Sequence, residues 1–258
     1  MARIFITGSA DGLGQMAAQL LVDEGHQVVV HGRHRKRAEE ALARVSGAEA
    51  AVSGDLSSME ETKKLAQQVN DLGAFDAVIH NAAIGYQEPR RVETVDGLPH
   101  VFAINSLAPY ILTCLIQKPK RLIYLSSGMH QGGNASMDDL TWKKRRWSGS
   151  QAYSDSKLHN AILAMAVARK WPEVYSNAVS PGWVATKMGG AGAPDSLEEA
   201  PKTQAWLASS NAPEALVSGK FFYHQQQKEV NPAARDVQIQ DRFLKECERL
   251  SGVVMDDE

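Results

Sequence analysis

Apolar and polar positions along this chain follow two rhythms that take turns. Short, nearly continuous apolar runs read as strands at Arg3–Thr7, Gln27–His31, Ala50–Ser53, Asp76–His80, Arg121–Leu125, Val174–Val179 and Gly219–Tyr223. Between them, apolar residues recur at helical spacing from about Met16, then over Arg35–Val45, Met59–Leu72, Leu98–Ile116, Tyr153–Lys170 and Asp236–Leu250. Apolar strands alternating with helices predict a doubly wound parallel sheet of about seven strands, covered by helices on both faces. No internal repeat or Pro/Ser-rich linker divides the sequence, so residues 1–258 are expected to form one domain. Two stretches break the rhythm. Gly128–Ala152 holds Trp142, Trp147 and the basic run Lys143–Arg146, and residues 181–201 hold Gly182, Gly189, Gly190 and Gly192. Both follow strands at their carboxyl ends, where open α/β sheets build their ligand crevice.

The first strand runs into Gly8-Ser9-Ala10-Asp11-Gly12-Leu13-Gly14 and then a helix. A strand, a glycine turn and a helix in that order aim backbone N–H groups and a helix N-terminus at a site suited to a pyrophosphate. The spacing is Gly-x-x-x-Gly-x-Gly, not the Gly-x-Gly-x-x-Gly of the standard dinucleotide fingerprint. Alone it is a moderate signal, because glycine clusters also make ordinary turns.

Composition narrows the classes. The chain is 43% hydrophobic, with a net charge of -2 and a pI near 6.5, which gives no reason to expect nucleic acid or an anionic membrane as partner. The run Lys143-Lys144-Arg145-Arg146 reads as a solvated loop. Two cysteines, Cys114 and Cys247, are too few for a disulfide framework and lack metal-ligand spacing, so no metal is expected. Cys114 reads as a buried core thiol. The first strand begins within three residues of Met1, leaving no room for a signal peptide, and no stretch approaches the ~20 apolar residues of a membrane span. A cytoplasmic protein is expected.

Tyr153-Ser154-Asp155-Ser156-Lys157 places a tyrosine and a lysine at i and i+4, on one face of a helix. The pair gains weight from its company: Thr7-Gly8-x-x-x-Gly12-x-Gly14, Asp55-Leu56, Asn81-Ala82-Ala83, Asn105, Ser126-Ser127 and Pro181-Gly182. In this order, from Thr7 to about Thr186, the chain resembles the short-chain dehydrogenase/reductase family. The stretch from the Tyr153 helix to Val184 is most similar to its retinol-dehydrogenase-like and related oxidoreductase branch.

The resemblance implies a Rossmann-like fold and a catalytic set of Asn105, Ser127, Tyr153 and Lys157. Tyr153 would be general acid in reduction and base in oxidation, with its pKa depressed from the usual value near 10 by the Lys157 ammonium and the nicotinamide charge. Lys157 would also bond the nicotinamide ribose. Ser127, with Ser126 as competitor, would position the substrate carbonyl, and Asn105 would carry a water-linked proton relay to the lysine. The cofactor would lie along Gly8, Ser9, Gly12, Leu13 and Gly14, with Asp55 and Leu56 framing the adenine. Asn81, Ala82 and Ala83 would flank it, and Pro181, Gly182, Val184 and Thr186 would surround the nicotinamide. Ala83 stands where Gly is commoner, and the segment from Ser127 to Tyr153 is longer than in compact members. His130 reads as a simple loop residue. Trp183, Met188, Met129 and Tyr86 hint at an apolar pocket, although each also reads as ordinary packing.

After the second strand, His31-Gly32-Arg33-His34-Arg35-Lys36-Arg37 contains no acid, and Gly32 falls where a ribose-binding acid would sit. Arginine suits phosphate, so NADP(H) is expected, contacted by Arg33 with His34 or Arg35 in support. Arg37 reads as a solvated helix start. Asp11 in the glycine loop argues the other way and keeps NAD(H) open. The activity implied is reversible hydride transfer with a small-molecule alcohol or carbonyl. The alternative is a catalytically silent NADP(H)-binding regulator, which has no need of the four catalytic residues. Family precedent implies a homodimer or homotetramer packed through the Leu98–Ile116 and Tyr153–Lys170 helices.

Overall fold

The chain leaves β1 (Arg3–Ile6) through the glycine turn into α1 (Gly12–Asp23), and repeats this right-going unit through β2 (Gln27–Gly32), α2 (Arg35–Arg44), β3 (Ala50–Ser53), α3 (Met59–Asp71) and β4 (Ala77–His80). Next come α4 (His100–Phe102), a π turn over Ala103–Leu107, α5 (Ala108–Leu115), β5 (Arg121–Leu125), α6 (Gly149–Lys170) and β6 (Tyr175–Ser180). The chain then forms α7 (Lys202–Ser209), β7 (Lys220–Tyr223), β8 (Gln226–Lys228) and α8 (Val237–Ser251). This computed structural model describes residues 1–256.

The strands form one sheet in the order β3-β2-β1-β4-β5-β6-β7-β8, parallel except for β8. Within β1, Ile4 and Ile6 enter a core with α1 and α7, whereas Phe5 enters the opposite core with α3, α5, α6 and α8. The alternation of side chains along a strand therefore feeds two separate cores. The sheet changes winding direction between β1 and β4. At that switch point the turns after both strands diverge and open a crevice at the carboxyl ends.

The expected doubly wound parallel sheet is present, with three local differences. An eighth strand adds to the predicted seven. Its sequence, Gln226-Gln227-Lys228, is polar and exposed, so it carries no apolar signal. The Tyr153 helix starts earlier, at Gly149, where the Ser148 hydroxyl accepts from the Gln151 N–H as an N-cap. The expected continuous helix over Leu98–Ile116 is broken by the π turn at Ala103–Leu107. Pro109 explains it, because proline has no N–H to offer the carbonyl four residues back, that of Asn105, and its ring crowds that carbonyl.

Long connections are also bound down. Asp155, on α6, accepts from the Asn134 N–H at 2.8 Å and from Arg145 Nη2 at 2.8 Å. The Arg145 guanidinium lies 3.6 Å over the Trp142 ring, so this member of the basic run is turned inward instead of solvated. His130 is buried, donates from Nδ1 to the Ser127 carbonyl and accepts from the Asn231 N–H, tying the segment after β5 to the segment after β8. Cys114, expected to be buried, is half-buried at the margin of the core, and burial raises its thiol to about 12.

Three buried histidines set an acid limit on stability. Burial lowers His31 to about 4, His80 to about 3 and His159 to about 4. Below the unfolded value near 6.5 the unfolded chain takes up protons that these native imidazoles refuse, so stability falls as pH falls. The slope approaches roughly 1.4 kcal/mol per pH unit for each histidine. Thermal unfolding followed from pH 7.5 to 4.5 should show a melting temperature that declines steeply below about 6.5. A flat profile to pH 5 would contradict the neutral, buried assignment.

Candidate functional site: a dinucleotide channel meeting an apolar pocket

Two cavities meet above the carboxyl ends of the sheet. One, of 680 Å³, runs from Gly32, Arg33 and Arg37 past the glycine turn, Asp55 and Leu56 to Asn81–Ile84 and Thr186. The other, of 660 Å³, is lined by Ser127, Met129, Tyr153, Pro181–Val184, Met188, Phe221 and Tyr223, among others. Leu13, Thr186 and Met188 belong to both.

The first cavity has the form of a dinucleotide channel. A Cβ on Gly14 would sit 2.3 Å from the Gly8 carbonyl oxygen and 2.4 Å from Asn81 Nδ2, so only glycine lets α1 start this close to the end of β1. Asn81 Nδ2 donates to the carbonyls of Thr7 and Gly8, and the Thr7 hydroxyl accepts from the N–H groups of Asn81 and Ala82. The ends of β1 and β4 are thereby locked at the switch point. Asp11 is the N-cap residue of α1 but makes no cap with its side chain. The helix start thus retains its positive end for an anion, and α1 has no acid in its first turn. The channel length, this helix end and the basic wall at Arg33 and Arg37 fit a phosphorylated dinucleotide.

The adenosine end departs from the residue expectations. Gly32 is required by packing, since a Cβ there would lie 2.3 Å from the Ala38 nitrogen. Arg33 lines the channel as expected. His34 does not; its ring caps α2 by accepting from the Arg37 N–H. Arg35 does not either, and it pairs with Glu39 on an exposed helix face. Arg37, expected to be solvated, lines the channel and donates to Asp11 at 2.9 Å and Glu40 at 2.6 Å. Lys187 reaches Asp11 from the loop after β6, at 3.1 Å. Burial alone would raise the Asp11 carboxyl, but Lys187 and Arg37 hold it below the usual range, so it stays ionised and paired. Ser9 stands outside the channel, its hydroxyl donating to the Ile6 carbonyl and accepting from the His31 N–H. His31 was missed by sequence reading. Its Nδ1 accepts from the Gly8 N–H and its Nε2 donates to the Gly54 carbonyl, pinning the first residue of the glycine turn.

Ser126 and Ser127 both border the second cavity but are held differently. Ser126 is buried and donates to the Lys157 carbonyl at 2.7 Å, a bond that joins β5 to α6. Ser127 lines the cavity beside Tyr153, and its hydroxyl accepts from the Met129 N–H at 3.2 Å. Tyr153 lies edge-on to Tyr86, and its hydroxyl is 3.7 Å from Met188 Sδ. Burial pushes Tyr153 up to about 12, with Ser127 acting to lower it. The Lys157 ammonium, expected to act on Tyr153 together with the nicotinamide charge, is held by a backbone carbonyl. It donates to the Leu125 carbonyl at 2.9 Å and lies 5.4 Å from the Tyr153 ring centre, while burial lowers it to about 7.

Asn105 is fully buried and lines neither cavity. Its amide accepts from the Ile84 N–H and donates to the Ile84 carbonyl and the Ser156 hydroxyl, so it fastens the loop after Asn81–Ala83 to α6. Tyr86, Met129, Trp183 and Met188 all line the apolar cavity. Asp195 closes the loop around it, accepting from the Trp183 N–H at 2.6 Å and the Tyr223 hydroxyl at 3.2 Å. Asp195, Arg37 and Lys187 carry no local sequence signal, because each acts through partners far along the chain. Among the described residues no helix is long and apolar enough to cross a membrane, and no group of three metal-ligating side chains occurs.

The channel predicts the fate of an acid at position 32. Gly32→Asp should destabilise the protein by about 1–3 kcal/mol through overpacking against the start of α2, with no gain in NADH affinity. Melting temperature and NADH titration together check it; a stable variant that binds NADH better would contradict the packing argument.

Comparison with known proteins agrees with this geometry. The family model described as short chain dehydrogenase matches residues 2–196. The chain is 46% identical over 257 residues to an uncharacterized oxidoreductase of Emericella nidulans, covering 98% of each. It is 29% identical over 295 residues to retinol dehydrogenase 14 of Homo sapiens, covering 97% of this chain and 86% of the other. A solved structure from Mycobacterium paratuberculosis shares the fold with a TM-score of 0.85 at 24% identity, covering 99% of this chain and 95% of that one. The chain belongs to the short-chain dehydrogenase family of oxidoreductases, in its retinol-dehydrogenase-like branch.

Proposed function

We propose that this protein catalyses reversible hydride transfer between NADP(H) and a bulky, apolar alcohol/carbonyl pair in the cytoplasm. The observation that carries this reading is the placement of Ser127 and Tyr153 where the dinucleotide channel opens into the apolar cavity. The nicotinamide, when bound, supplies the hydride. Tyr153, protonated at neutral pH by its burial, donates its proton to the carbonyl oxygen, and Ser127 holds that oxygen by a hydrogen bond. Lys157 is the nearby cation that stabilises the phenolate left behind. Asn105 fixes the loop above β4, and a water relay from Lys157 would use its main-chain carbonyl, to which Pro109 brings no donor. Met188 Sδ lies 3.7 Å from the Tyr153 hydroxyl, so the loop after β6 borders the place where the carbonyl would sit.

The preference for NADP(H) over NAD(H) rests on three features. Arg33 and Arg37 stand at the adenosine end of the channel. Position 32 has no space for a ribose-binding acid. Asp11, the feature that favours NAD(H), is already neutralised by Arg37 and Lys187. The apolar cavity, with Tyr86, Met129, Trp183, Met188, Phe221 and Tyr223, supports a large hydrophobic substrate. An alcohol or carbonyl substrate also accords with the name of the human relative, a retinol dehydrogenase.

Titration with NADPH and with NADH, followed by nicotinamide fluorescence, tests the cofactor. NADPH should bind at least about tenfold tighter, and Arg33→Ala should remove about a factor of ten from NADPH affinity while leaving NADH unchanged. Equal affinities in the wild type would contradict the phosphate assignment, and failure to bind either would contradict the whole reading.

A further inference from the structure

Strand β8 contributes no residue to either core, yet its position is fixed at both ends. It pairs with β7 through a two-residue hairpin turn in which His224 and Gln225 have φ of 48° and 59°. Such a turn needs positive φ at both positions, which Asn-Gly or Asp-Gly ordinarily supplies. In this chain two longer side chains accept the left-handed conformation. The Gln225 N–H donates to the buried Thr203 hydroxyl at 3.0 Å, which holds the turn against α7. Beyond the strand, the Glu229 carbonyl accepts from Gln131 Nε2 at 3.2 Å. Asn231 bonds His130 and Gln131 through its N–H and its side-chain amide. Those two residues belong to the turn that follows Ser127. A polar edge strand is thus fastened beside the segment that leaves Ser127.

The register decides what β8 presents. Phe221 stands opposite Lys228, and Tyr223 opposite Gln226. Residues directly opposite across an antiparallel pair share a face of the sheet. Phe221 enters the core that holds α6, whereas Phe222 enters the core that holds α1 and α7. Lys228 therefore lies on the α6 side, the side of Tyr153, and lines the 660 Å³ cavity together with Phe221 and Tyr223. Gln227 takes the other face. A lysine on an edge strand also deters strand addition, but that role is served equally from either face.

Charge on the wall of this cavity is sparse. Asp195 and Lys228 are its charged side chains. Asp195 is already satisfied, one oxygen accepting from the Trp183 N–H and the other from the Tyr223 hydroxyl. Lys228 is not. Among the described residues its polar contact is the neutral Gln226 amide, at 3.0 Å. An ammonium carries three donors, so two are left for a ligand.

We infer that the substrate is an apolar carbonyl compound that also carries a carboxylate, and that Lys228 holds this carboxylate at the β8 end of the cavity. The inference rests on the reading of this cavity as the substrate pocket. Strand β8 lies three spacings from β5 in the sheet, about 14 Å at roughly 4.8 Å each. Carbonyl and acid are thereby set roughly 10–14 Å apart, with Phe221 and Tyr223 lining the span between them. One free ammonium near the Asp195 carboxylate suits a single negative charge. A phosphate would call for a cluster of cations or an arginine fork.

A straight-chain twelve-carbon acid that ends in a methyl ketone, and its methyl ester, differ in that one charge. Calorimetric titration of the whole protein with each compound should show the acid binding about fivefold tighter than the ester. Lys228→Met should bring the ratio to about one, and Lys228→Arg should keep it. The residue stands on an exposed strand, so neither variant disturbs a core. Equal binding of acid and ester, binding of neither, or a preference that survives Lys228→Met would each overturn the inference. NADPH consumption with the same two compounds separates it from the reading on which it rests. An acid preference without turnover keeps the Lys228 contact and removes hydride transfer, whereas turnover of both compounds without a preference does the reverse.

Discussion

A buried ammonium at the end of the central strand holds the site together. Lys157 is 3% exposed and donates to the carbonyl of Leu125, the last residue of β5. Asn160, one turn on, donates to the same carbonyl at 3.1 Å, and Ser126 returns a bond from the strand to the Lys157 carbonyl. These three bonds join α6 to the tip of β5 in both directions. They fix where Ser127 leaves the strand relative to Tyr153 on the helix. A buried amine with so few partners pays for its position in basicity, which is why burial draws Lys157 down toward neutrality. Asn160 leaves the Leu125 carbonyl a second donor, so the lysine can turn toward another acceptor without stranding a buried oxygen.

The same economy of backbone groups shapes the channel. Parallel strands ending side by side expose carbonyl ends and helix starts along one rim, and at the switch point nothing closes the gap between β1 and β4. Thr7 and Asn81 bind the two strand ends to each other without filling that gap. His31 adds a third fastening from β2, by accepting the Gly8 N–H while bonded to Gly54. The loop after β6 then reaches over both cavities, with Lys187 on the glycine turn and Met188 on the tyrosine. One loop therefore touches the glycine turn and the Tyr153 hydroxyl through adjacent residues.

Much of this was legible in the sequence, because apolar runs and helical spacing are local properties. Seven strands, the glycine turn and the Tyr153–Lys157 face all follow from neighbours within a few residues. The rest depends on distance along the chain or on a single atom. The break at Asn105 follows from the missing N–H of Pro109, which an apolar pattern does not register. Arg33, His34, Arg35 and Arg37 look alike as a basic run, yet His34 caps α2, Arg33 and Arg37 line the channel, and Arg35 pairs with Glu39 on an exposed helix face. The pattern supplies the Lys157 cation next to Tyr153 but not the acceptor that holds it, the Leu125 carbonyl.

The central claim is that Tyr153 transfers the proton while the dinucleotide channel stands apart from that step. It is tested most directly by comparing Tyr153→Phe with the wild type on a carbonyl compound the wild type reduces, measuring turnover and cofactor affinity in the same preparation. The account predicts turnover lower by about 10²–10⁴-fold with cofactor affinity within a factor of about two. A variant that keeps near wild-type turnover would contradict it.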